Sequence, residues 1–274
     1  MTQPPDGPER AELAGRVAIV FGAGSSGPGW GNGKAVAVAY ARAGASVVCV
    51  DRVEAAAAET AGLIEAEGGT ALALAADVTS LVSVEAAVSA AIGRFGHLDI
   101  LHNNVGVASA GGPLDLDEAA FAAAMDVNVG SVFRTAKAAL PALVARRGVI
   151  INISSIAAIR WTGYPYFAYY AAKAAVNQAT VALAMQYAGH GIRANCVVPG
   201  MIDTPLIYNQ IAAHYDSVAA MVAARSRSVP LGRMGTAWDV ANAAVFLASD
   251  RAAFITGVCL PVDGGQSCGM AVPA

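Results

Sequence analysis

Short apolar runs alternate with alanine-rich stretches along almost the whole of this 274-residue chain. The runs are rich in Val, Ile and Leu, which is typical of strands in a parallel sheet buried on both faces. The stretches between them predict helices, so the chain repeats a strand–helix–strand unit. The predicted strands are Val17–Phe21, Ser46–Val50, Ala71–Ala75, Ile100–Asn103, Val149–Ile153, Arg193–Val197 and Val258–Val262. This pattern predicts an α/β fold with one doubly wound sheet.

Composition restricts the function classes. The net charge is −3 and the basic residues form no run beyond Arg146-Arg147, so nucleic-acid binding has no electrostatic support. Hydrophobic residues make up 56% of the chain and charged residues only 14%, which favours an oligomer that buries apolar surface between subunits. The four cysteines form no CxxC motif or metal-ligand cluster, and Cys49 and Cys196 lie in strand-like runs, so we expect a reducing compartment and no metal.

No linker or composition shift divides the chain. Residues 1–12, which contain three prolines, predict a disordered tail without the features of a signal peptide, and residues 13–274 predict a single domain. The longest uncharged stretch, Ala174 to Gly189, contains four polar amide or hydroxyl residues, so it does not predict a membrane span. We expect a soluble cytoplasmic protein that acts on a small molecule.

A glycine-rich segment, Gly22 to Lys34, follows the first predicted strand and precedes a helix. Such a turn lets the backbone approach a pyrophosphate, and the free N–H groups of the helix N-terminus face the negative charge. The alternative is a flexible loop without a ligand. The candidate cofactor-binding residues here are Gly22, Ser25, Ser26, Gly31, Asn32 and Gly33.

Asp51 ends the second predicted strand and would accept hydrogen bonds from both ribose hydroxyls of an adenosine. Because its carboxylate would repel a 2′-phosphate, we expect NAD in preference to NADP, although Arg52 could partly neutralise that phosphate. After the third strand, Asp77 and Val78 are candidates for adenine binding, with a helix cap as the alternative for Asp77. After the fourth strand, Asn104, Val105 and Gly106 are candidates for cofactor contact, and turn chemistry explains Asn104 equally well.

Tyr169 and Lys173 are four residues apart in a predicted helix, so their side chains share one face. A nearby ammonium favours the phenolate, and we therefore expect Lys173 to lower the pKa of Tyr169 towards neutrality. A tyrosine with such a pKa can exchange a proton with substrate. Ser155, at the end of the fifth predicted strand, could bind a substrate carbonyl or hydroxyl.

Taken together, these motifs resemble the short-chain dehydrogenase/reductase family over about residues 13 to 266. The similarity includes the glycine-rich loop, Asp77-Val78, Asn103-Asn104-Val105-Gly106, Asn128 within Asp126 to Gly130, and Ile153-Ser154-Ser155. It continues in Tyr169-x-x-x-Lys173, Asn195 to Gly200, Ile255-Thr256-Gly257 and Val262 to Gly265.

The resemblance implies a Rossmann fold with a seven-stranded, mostly parallel sheet, helices on both faces, and usually a homotetramer. It implies hydride transfer between NAD(P) and a secondary alcohol or ketone. Tyr169 would be the proton donor and acceptor, Lys173 would lower its pKa and bind the nicotinamide ribose, Ser155 would polarise the substrate oxygen, and Asn128 would hold a water. Four further residues would border the nicotinamide: Pro199, Gly200, Ile202 and Thr204.

The chain departs from the family pattern in the glycine-rich loop. Phe21 replaces the usual Thr, Val105 replaces the usual alanine, and eight residues separate Gly22 from Gly31, which indicates an insertion around Ser26–Trp30. The longer loop resembles that of the enoyl reductases, whose tyrosine lies seven residues before the lysine, where this chain has Tyr166. Carbonyl or alcohol chemistry at Tyr169 is thus one of three possible functions. The other two are C=C reduction with Tyr166 and a dinucleotide-binding sensor without turnover.

The segment 200–235 is where this family places its substrate lid. Aromatic residues before the catalytic tyrosine (Trp161, Tyr164, Tyr166 and Phe167) and apolar residues of the lid, among them Met221 and Val222, predict a pocket for a hydrophobic or aromatic substrate. Lid packing or a subunit contact is the alternative for these side chains. His214, Arg225 and Arg227 could bind a carboxylate or phosphate, but for all three we expect solvated positions on a helix surface.

Overall fold

The computed structural model describes residues 12–210 and 215–269. Its strands are β1 Val17–Phe21, β2 Ser46–Asp51, β3 Ala71–Ala75, β4 Ile100–Asn103, β5 Val149–Ile153, β6 Arg193–Pro199, β7 Ile202–Asp203, β8 Gly235–Thr236 and β9 Cys259–Val262. Its α-helices are α1 Asn32–Arg42, α2 Glu54–Ala66, α3 Leu81–Phe95, α4 Glu118–Met125, α5 Ser131–Arg146, α6 Phe167–Tyr187, α7 Pro205–Gln210, α8 Val218–Arg227 and α9 Ala237–Ala248.

Seven strands form one sheet in the order β3-β2-β1-β4-β5-β6-β9, and every pairing in it is parallel. This confirms the prediction of a doubly wound, seven-stranded Rossmann fold. The strand order reverses between β1 and β4. At such a point the connections leave in opposite directions and open a crevice at the C-terminal edge of the sheet.

Helices cover both faces of the sheet because the strands bury side chains on both sides. In β1, Ala18 and Val20 face the cluster that includes residues of α1, α2 and α9. Val17, Ile19 and Phe21 face the opposite cluster, which includes residues of α3, α5 and α6. All five residues of β1 are buried, which accounts for the continuous apolar run that predicted this strand.

Several boundaries differ from the sequence-based expectations. β2 and β6 extend further than predicted, and β9 begins one residue later. The two-residue strands β7 and β8 form a small second sheet that the sequence did not indicate. Strands of two residues are too short to show a periodic pattern in the sequence. The pairing of Ile202 with Gly235 therefore arises only from tertiary contact.

The predicted tail lies almost entirely outside the described residues. Its last residue, Glu12, lies in a turn, and its carboxylate accepts a hydrogen bond from Arg251 at 2.7 Å. Within residues 12–210 and 215–269, no helix combines the length and the hydropathy that crossing a bilayer requires. The same residues contain no cluster of three His, Cys, Asp or Glu side chains arranged to hold a metal ion.

Candidate active site

A cleft of about 680 Å³ opens at the C-terminal edge of the sheet. The ends of β1, β2, β5 and β6 form its floor, together with the residues that follow β3 and β4. One part of the cleft is bounded by the glycine-rich loop and Asp51, and we call it the nucleotide half. The other part is bounded by the predicted lid and the loop before α6, and we call it the lid half.

All but two of the predicted site residues line this cleft. The lining set contains Gly22, Ser25, Ser26, Gly31, Asn32, Asp51, Arg52, Asp77, Val78, Asn104, Val105, Gly106, Ser155, Tyr169, Lys173, Pro199, Gly200, Ile202 and Thr204. Gly33 and Asn128 lie behind its wall. The structure therefore brings together residues that are separated by more than 180 positions in the chain.

Gly33 lies where α1 passes against the first turn of the glycine-rich loop. A Cβ on Gly33 would lie 1.9 Å from the carbonyl oxygen of Gly22. Only a residue without a side chain allows this close approach. Gly33 therefore shapes the wall of the cleft, and its contact with a cofactor stays a prediction.

The lengthened part of the loop is held by side chains from the rest of the fold. The indole of Trp30 packs against that of Trp238 on α9, with ring centroids 4.8 Å apart. The amide of Asn209, on α7, donates a hydrogen bond to the carbonyl of Ser26 at 3.0 Å. Helix α1 begins at Asn32 with Gly31 as its N-cap.

The nucleotide half has the features that a dinucleotide requires. No side chain caps the N-terminus of α1, so its first N–H groups are free of a side-chain partner. The side-chain oxygen of Asn32 is buried there and has no hydrogen-bond partner among the described residues. The carboxylate of Asp51 accepts hydrogen bonds from the N–H groups of Gly24 and Val53, both at 3.0 Å. These groups fit a phosphate and a ribose.

Asp77 and Asn104 line the cleft, whereas Asn103 makes a contact inside the fold. Asp77 lines the cleft, and its carboxylate accepts two hydrogen bonds from Thr79, which lower its pKa. Ser80, not Asp77, caps α3. The amide of Asn104 donates to the carbonyl of Gly22 at 3.0 Å and so joins β4 to the glycine-rich loop. Asn103 is buried and bonds Asn152 instead.

Ser155, Tyr169 and Lys173 meet at the boundary between the two halves. Both side chains line the cleft, and the hydroxyl of Ser155 acts on the phenol of Tyr169 in the direction that lowers its pKa. That hydroxyl also accepts the N–H of Ala157 at 3.1 Å. The neighbouring Ser154 donates to the carbonyl of Lys173 at 3.0 Å, which binds β5 to α6. The hydroxyls of the two adjacent serines thus have different partners.

Lys173 is buried, and its ammonium donates to the carbonyl of Ile153 at 3.0 Å. Burial lowers the pKa of Lys173 to about 8. Its Nζ atom lies 5.6 Å from the ring centroid of Tyr169, so the helical spacing does place both groups on one face.

The pKa of Tyr169 does not move in the expected direction. Desolvation by the surrounding protein raises this pKa above its usual value, and the hydrogen bond from Ser155 only partly offsets the rise. The expectation that Lys173 alone would bring the phenol towards neutrality is therefore wrong for this structure. The sequence indicated the charge of the neighbour but not the extent of burial, and here burial has the larger effect.

Asn128 lies in a π-helical turn, Asp126–Gly130, between α4 and α5. Its amide donates to the carbonyls of Val107 and Ala124, and its oxygen accepts the N–H of Val107. These bonds fix the loop after β4 beside Lys173. A Cβ on Gly106 would lie 2.7 Å from Nζ of Lys173 and 3.0 Å from Oδ1 of Asn128, so this loop packs tightly against both groups.

The lid half differs from the expected aromatic pocket. Tyr164 and Tyr166 line the cleft, but Trp161 and Phe167 point largely to solvent at 64% and 50% exposure. Met221 is fully buried in a small core of the lid with Met201 and Ile207. The hydroxyl of Tyr170 bonds Thr162, and its ring stacks on Trp161 at 5.2 Å, so Tyr170 holds the loop rather than lining the cleft.

Arg225 contradicts the expectation of a solvated position. Only 6% of Arg225 is exposed, and the residue lines the cleft. Arg227, two residues later on α8, is exposed as expected, and His214 lies outside the described residues. The sequence could have indicated the difference only through the position of Arg225 one helical turn after the buried Met221. The apolar lid residues Met201, Leu206 and Ile207 line the cleft as expected. Cleft residues that sequence reasoning did not single out include Gly24, Val107 and Ile156.

Comparison with known proteins agrees with this site. A family model described as enoyl-(acyl carrier protein) reductase matches residues 28–267. A cis-4-hydroxycyclohexanecarboxylate dehydrogenase of Sinomonas cyclohexanicum is 41% identical over 93% of this chain and 98% of its own length. A 2,5-dichloro-2,5-cyclohexadiene-1,4-diol dehydrogenase of Sphingobium indicum is 38% identical over 94% of this chain and 98% of its own length.

A solved structure from Burkholderia xenovorans, described as a short-chain dehydrogenase/reductase, superposes with a TM-score of 0.88 at 43% identity. The match covers 94% of this chain and 98% of that one. The chain belongs to the short-chain dehydrogenase/reductase family. It is an oxidoreductase of the class that acts on CH–OH groups and the corresponding carbonyls.

Proposed function

We propose that this protein transfers hydride between NAD(H) and a secondary alcohol or the matching ketone, with Tyr169 as the general acid and base. The observation that carries the proposal is the meeting of Ser155, Tyr169 and Lys173 in one cleft with an open helix N-terminus and Asp51. The nicotinamide cofactor supplies the hydride chemistry, and the protein supplies position and proton transfer.

In the proposed mechanism, the substrate oxygen lies against the hydroxyls of Ser155 and Tyr169. For ketone reduction, Tyr169 donates its proton to the developing alkoxide while Ser155 donates a hydrogen bond to it. The raised pKa keeps the phenol protonated at neutral pH, which suits this direction. For alcohol oxidation, Tyr169 must first lose its proton, and the ammonium of Lys173 stabilises the resulting phenolate.

Lys173 and Asn128 have supporting roles in this proposal. The hydrogen bond from Lys173 to Ile153 uses one of three ammonium N–H groups, which leaves donors for a nicotinamide ribose. Asn128 keeps Gly106 and Val107 in place through its bonds to Val107. The fixed loop then maintains the position of Lys173 relative to the phenol. Segment 200–235 would cover the substrate once it is bound.

The preference for NAD over NADP is part of the proposal and depends on Asp51. Each carboxylate oxygen already accepts one backbone N–H and retains capacity for a ribose hydroxyl. A 2′-phosphate at this position would be repelled. Arg52 lines the same region and is exposed, so its flexible cation offsets that repulsion only weakly.

We also propose a cytoplasmic homotetramer. A groove of about 580 Å³ between α5 and α6 is lined mainly by apolar side chains. Phe133 in this groove is 65% exposed, and Met185 on α6 is 61% exposed. Burial of such side chains between copies of the chain would remove apolar surface from water. Light scattering coupled to size-exclusion chromatography measures the assembly directly.

The experiment that tests the catalytic proposal is a screen of secondary alcohols and ketones with NAD and NADH, followed by absorbance. Tyr169→Phe should reduce kcat about 10²- to 10⁴-fold because it removes the proton donor, while NADH binding measured by fluorescence is retained. Tyr170→Phe is the matched control, since Tyr170 itself does not line the cleft and its hydroxyl bonds Thr162 in the loop before α6. Absence of Tyr169-dependent turnover on every substrate would refute the proposal.

A second candidate function is the reduction of a C=C bond with Tyr166. The matching family model is described as enoyl-(acyl carrier protein) reductase, and Tyr166 lines the same cleft. Retained activity in Tyr169→Phe together with its loss in Tyr166→Phe would favour this function. The stacking of Tyr166 on Tyr164, with centroids 5.7 Å apart, instead suits a wall of the substrate pocket.

A further inference from the structure

Arg225 is a buried cation whose partners within the protein are insufficient. Its Nη1 atom lies 3.5 Å from the hydroxyl of Tyr164, which is a long hydrogen bond, and its Nε atom is buried with no partner in the described part of the chain. Within residues 12–210 and 215–269, no carboxylate lies within 4.0 Å of its guanidinium. Residues 211–214 of the sequence include no acidic side chain.

A buried charge of this kind is costly unless an ion of opposite sign or several hydrogen bonds compensate it. Charged residues are almost never fully buried without such a partner. The neighbouring polar groups are phenols. The pKa values of Tyr166 and Tyr215 are raised chiefly by desolvation, and that of Tyr208 chiefly by its hydrogen bond to Asp203. The charge of Arg225 offsets only part of each rise. The hydroxyls of Tyr164 and Tyr215 bond each other at 2.8 Å. Neutral phenols leave the cation uncompensated.

The position of Arg225 indicates what would compensate it. The residue lines the same cleft as Tyr169 and Ser155, and the wall of the lid half also contains Met201, Leu206 and Ile207. A ligand in this half would therefore meet a proton donor at the catalytic end, apolar side chains along its body and a guanidinium elsewhere on the wall. A planar guanidinium matches the two oxygens of a carboxylate with two parallel hydrogen bonds.

We propose that Arg225 binds a carboxylate of the substrate, so that the protein acts on hydroxy or keto acids whose carboxylate is separated from the reacting carbon by an apolar body. This inference rests on the proposed function for the reacting carbon and adds the recognition of charge. It assigns Arg225 a role in substrate specificity and none in proton transfer.

The test compares carboxylates with their neutral amides as ligands. Cyclohexanecarboxylate, benzoate and 4-phenylbutyrate, and the three corresponding carboxamides, are titrated into the NADH-bound protein by calorimetry. We expect at least one carboxylate to bind tenfold or more tightly than its amide. In Arg225→Met this preference should disappear, and in Arg225→Lys it should be reduced, because an ammonium keeps the charge but not the paired donors. Equal affinity for acids and amides in the unmodified protein would overturn the inference.

Arg227→Met is the matched control because Arg227 lies on the same helix with its side chain exposed, and it should retain the full preference. Thermal melting distinguishes a binding role from a structural one. Removal of an uncompensated buried charge should leave the melting temperature of Arg225→Met equal to or above that of the unmodified protein. A lower melting temperature with an unchanged acid-to-amide ratio would identify a structural arginine and refute the proposal.

The two proposals fail separately. Tyr169-dependent oxidation of neutral alcohols without any preference for carboxylates would remove the role of Arg225 and leave the oxidoreductase proposal intact. Arg225-dependent binding of carboxylates without turnover of any alcohol or ketone would refute the oxidoreductase proposal and keep the role of Arg225. The binding assay permits this outcome because it does not depend on hydride transfer.

Discussion

The two halves of the cleft are built in different ways. In the nucleotide half, backbone groups, glycines and the carboxylates of Asp51 and Asp77 form much of the surface, and they lie at the ends of strands β1, β2 and β3. In the lid half, long side chains such as Met201, Tyr164 and Arg225 form the surface, and they belong to short elements outside the main sheet. The difference suggests that cofactor binding depends on backbone geometry, whereas substrate choice depends on side chains that can be exchanged individually.

The largest effect is expected for Gly33→Ala in the nucleotide half. The new Cβ would lie 1.9 Å from the carbonyl oxygen of Gly22, and neither backbone can move without displacing the loop. We expect a loss of roughly 3 kcal/mol or more in the free energy of unfolding, measured by urea denaturation, and a large loss of NADH affinity.

Gly62→Ala is the matched control for that variant. Gly62 lies within α2, and a Cβ there would meet nothing within 4 Å. Because alanine favours the helix over glycine, this change should stabilise the protein by up to about 1 kcal/mol. If Gly33→Ala is as stable as the unmodified protein and binds NADH normally, the backbone account of the nucleotide half is wrong.

The pH dependence of alcohol oxidation tests the ionisation of Tyr169, which lies at the boundary between the two halves. Its raised pKa means that the phenolate fraction increases about tenfold per pH unit across the neutral range. We therefore expect kcat/KM for oxidation to rise with that slope between about pH 6 and 7, where Lys173, with its pKa of about 8, is mostly cationic. A plateau that begins below pH 7 would show that the phenol is already ionised and would contradict the role of burial.

Asp51→Ala should change cofactor choice without changing substrate choice. Removal of the carboxylate takes away both the ribose acceptor and the repulsion of a 2′-phosphate. We expect the ratio of kcat/KM for NADH to that for NADPH to fall about tenfold, which corresponds to about 1.4 kcal/mol. The control, Glu54→Ala, removes an equal charge from an exposed position at the start of α2. A lower KM for NADPH than for NADH in the unmodified protein would already contradict the preference.

The smallest effect is expected for Tyr215→Phe in the lid half. This change removes the hydrogen bond between the hydroxyls of Tyr215 and Tyr164, which is worth about 1 kcal/mol. The KM for the best alcohol from the screen should change by no more than about threefold, and the KM for NADH should remain unchanged. A change above tenfold in either value would show that the lid half is as tightly constrained as the nucleotide half.

Much of the nucleotide half was predictable because short-range rules govern it. The five residues of β1 are all buried, so the apolar run that predicted this strand directly reflects its environment. Asp51, Asn104 and Ser155 were placed at one edge because parallel strands end at the same edge of their sheet. The spacing of Tyr169 and Lys173 placed both on one face of α6 by helical geometry alone, as their 5.6 Å separation shows.

Other features depended on contacts between distant segments. The π-helical turn at Asn128 has no signal in the residue pattern, yet it determines which loop the amide binds. The sequence also did not distinguish Arg225 from Arg227, because burial depends on how α8 packs against the cleft. The pKa of Tyr169 was expected to fall and is instead raised, because desolvation is a property of the packed protein.

By itself, the sequence determined the class of fold, the edge of the sheet at which the chemistry lies, and most of the predicted residues that reach it. These properties follow from hydrophobic periodicity and from the geometry of strands and helices, which act over a few residues. Only the tertiary structure decided how deeply each polar group is buried and what it bonds. The electrostatic consequences of burial depend on surroundings contributed by many separate segments, so the pKa of Tyr169 and the uncompensated charge of Arg225 became visible only in the folded protein.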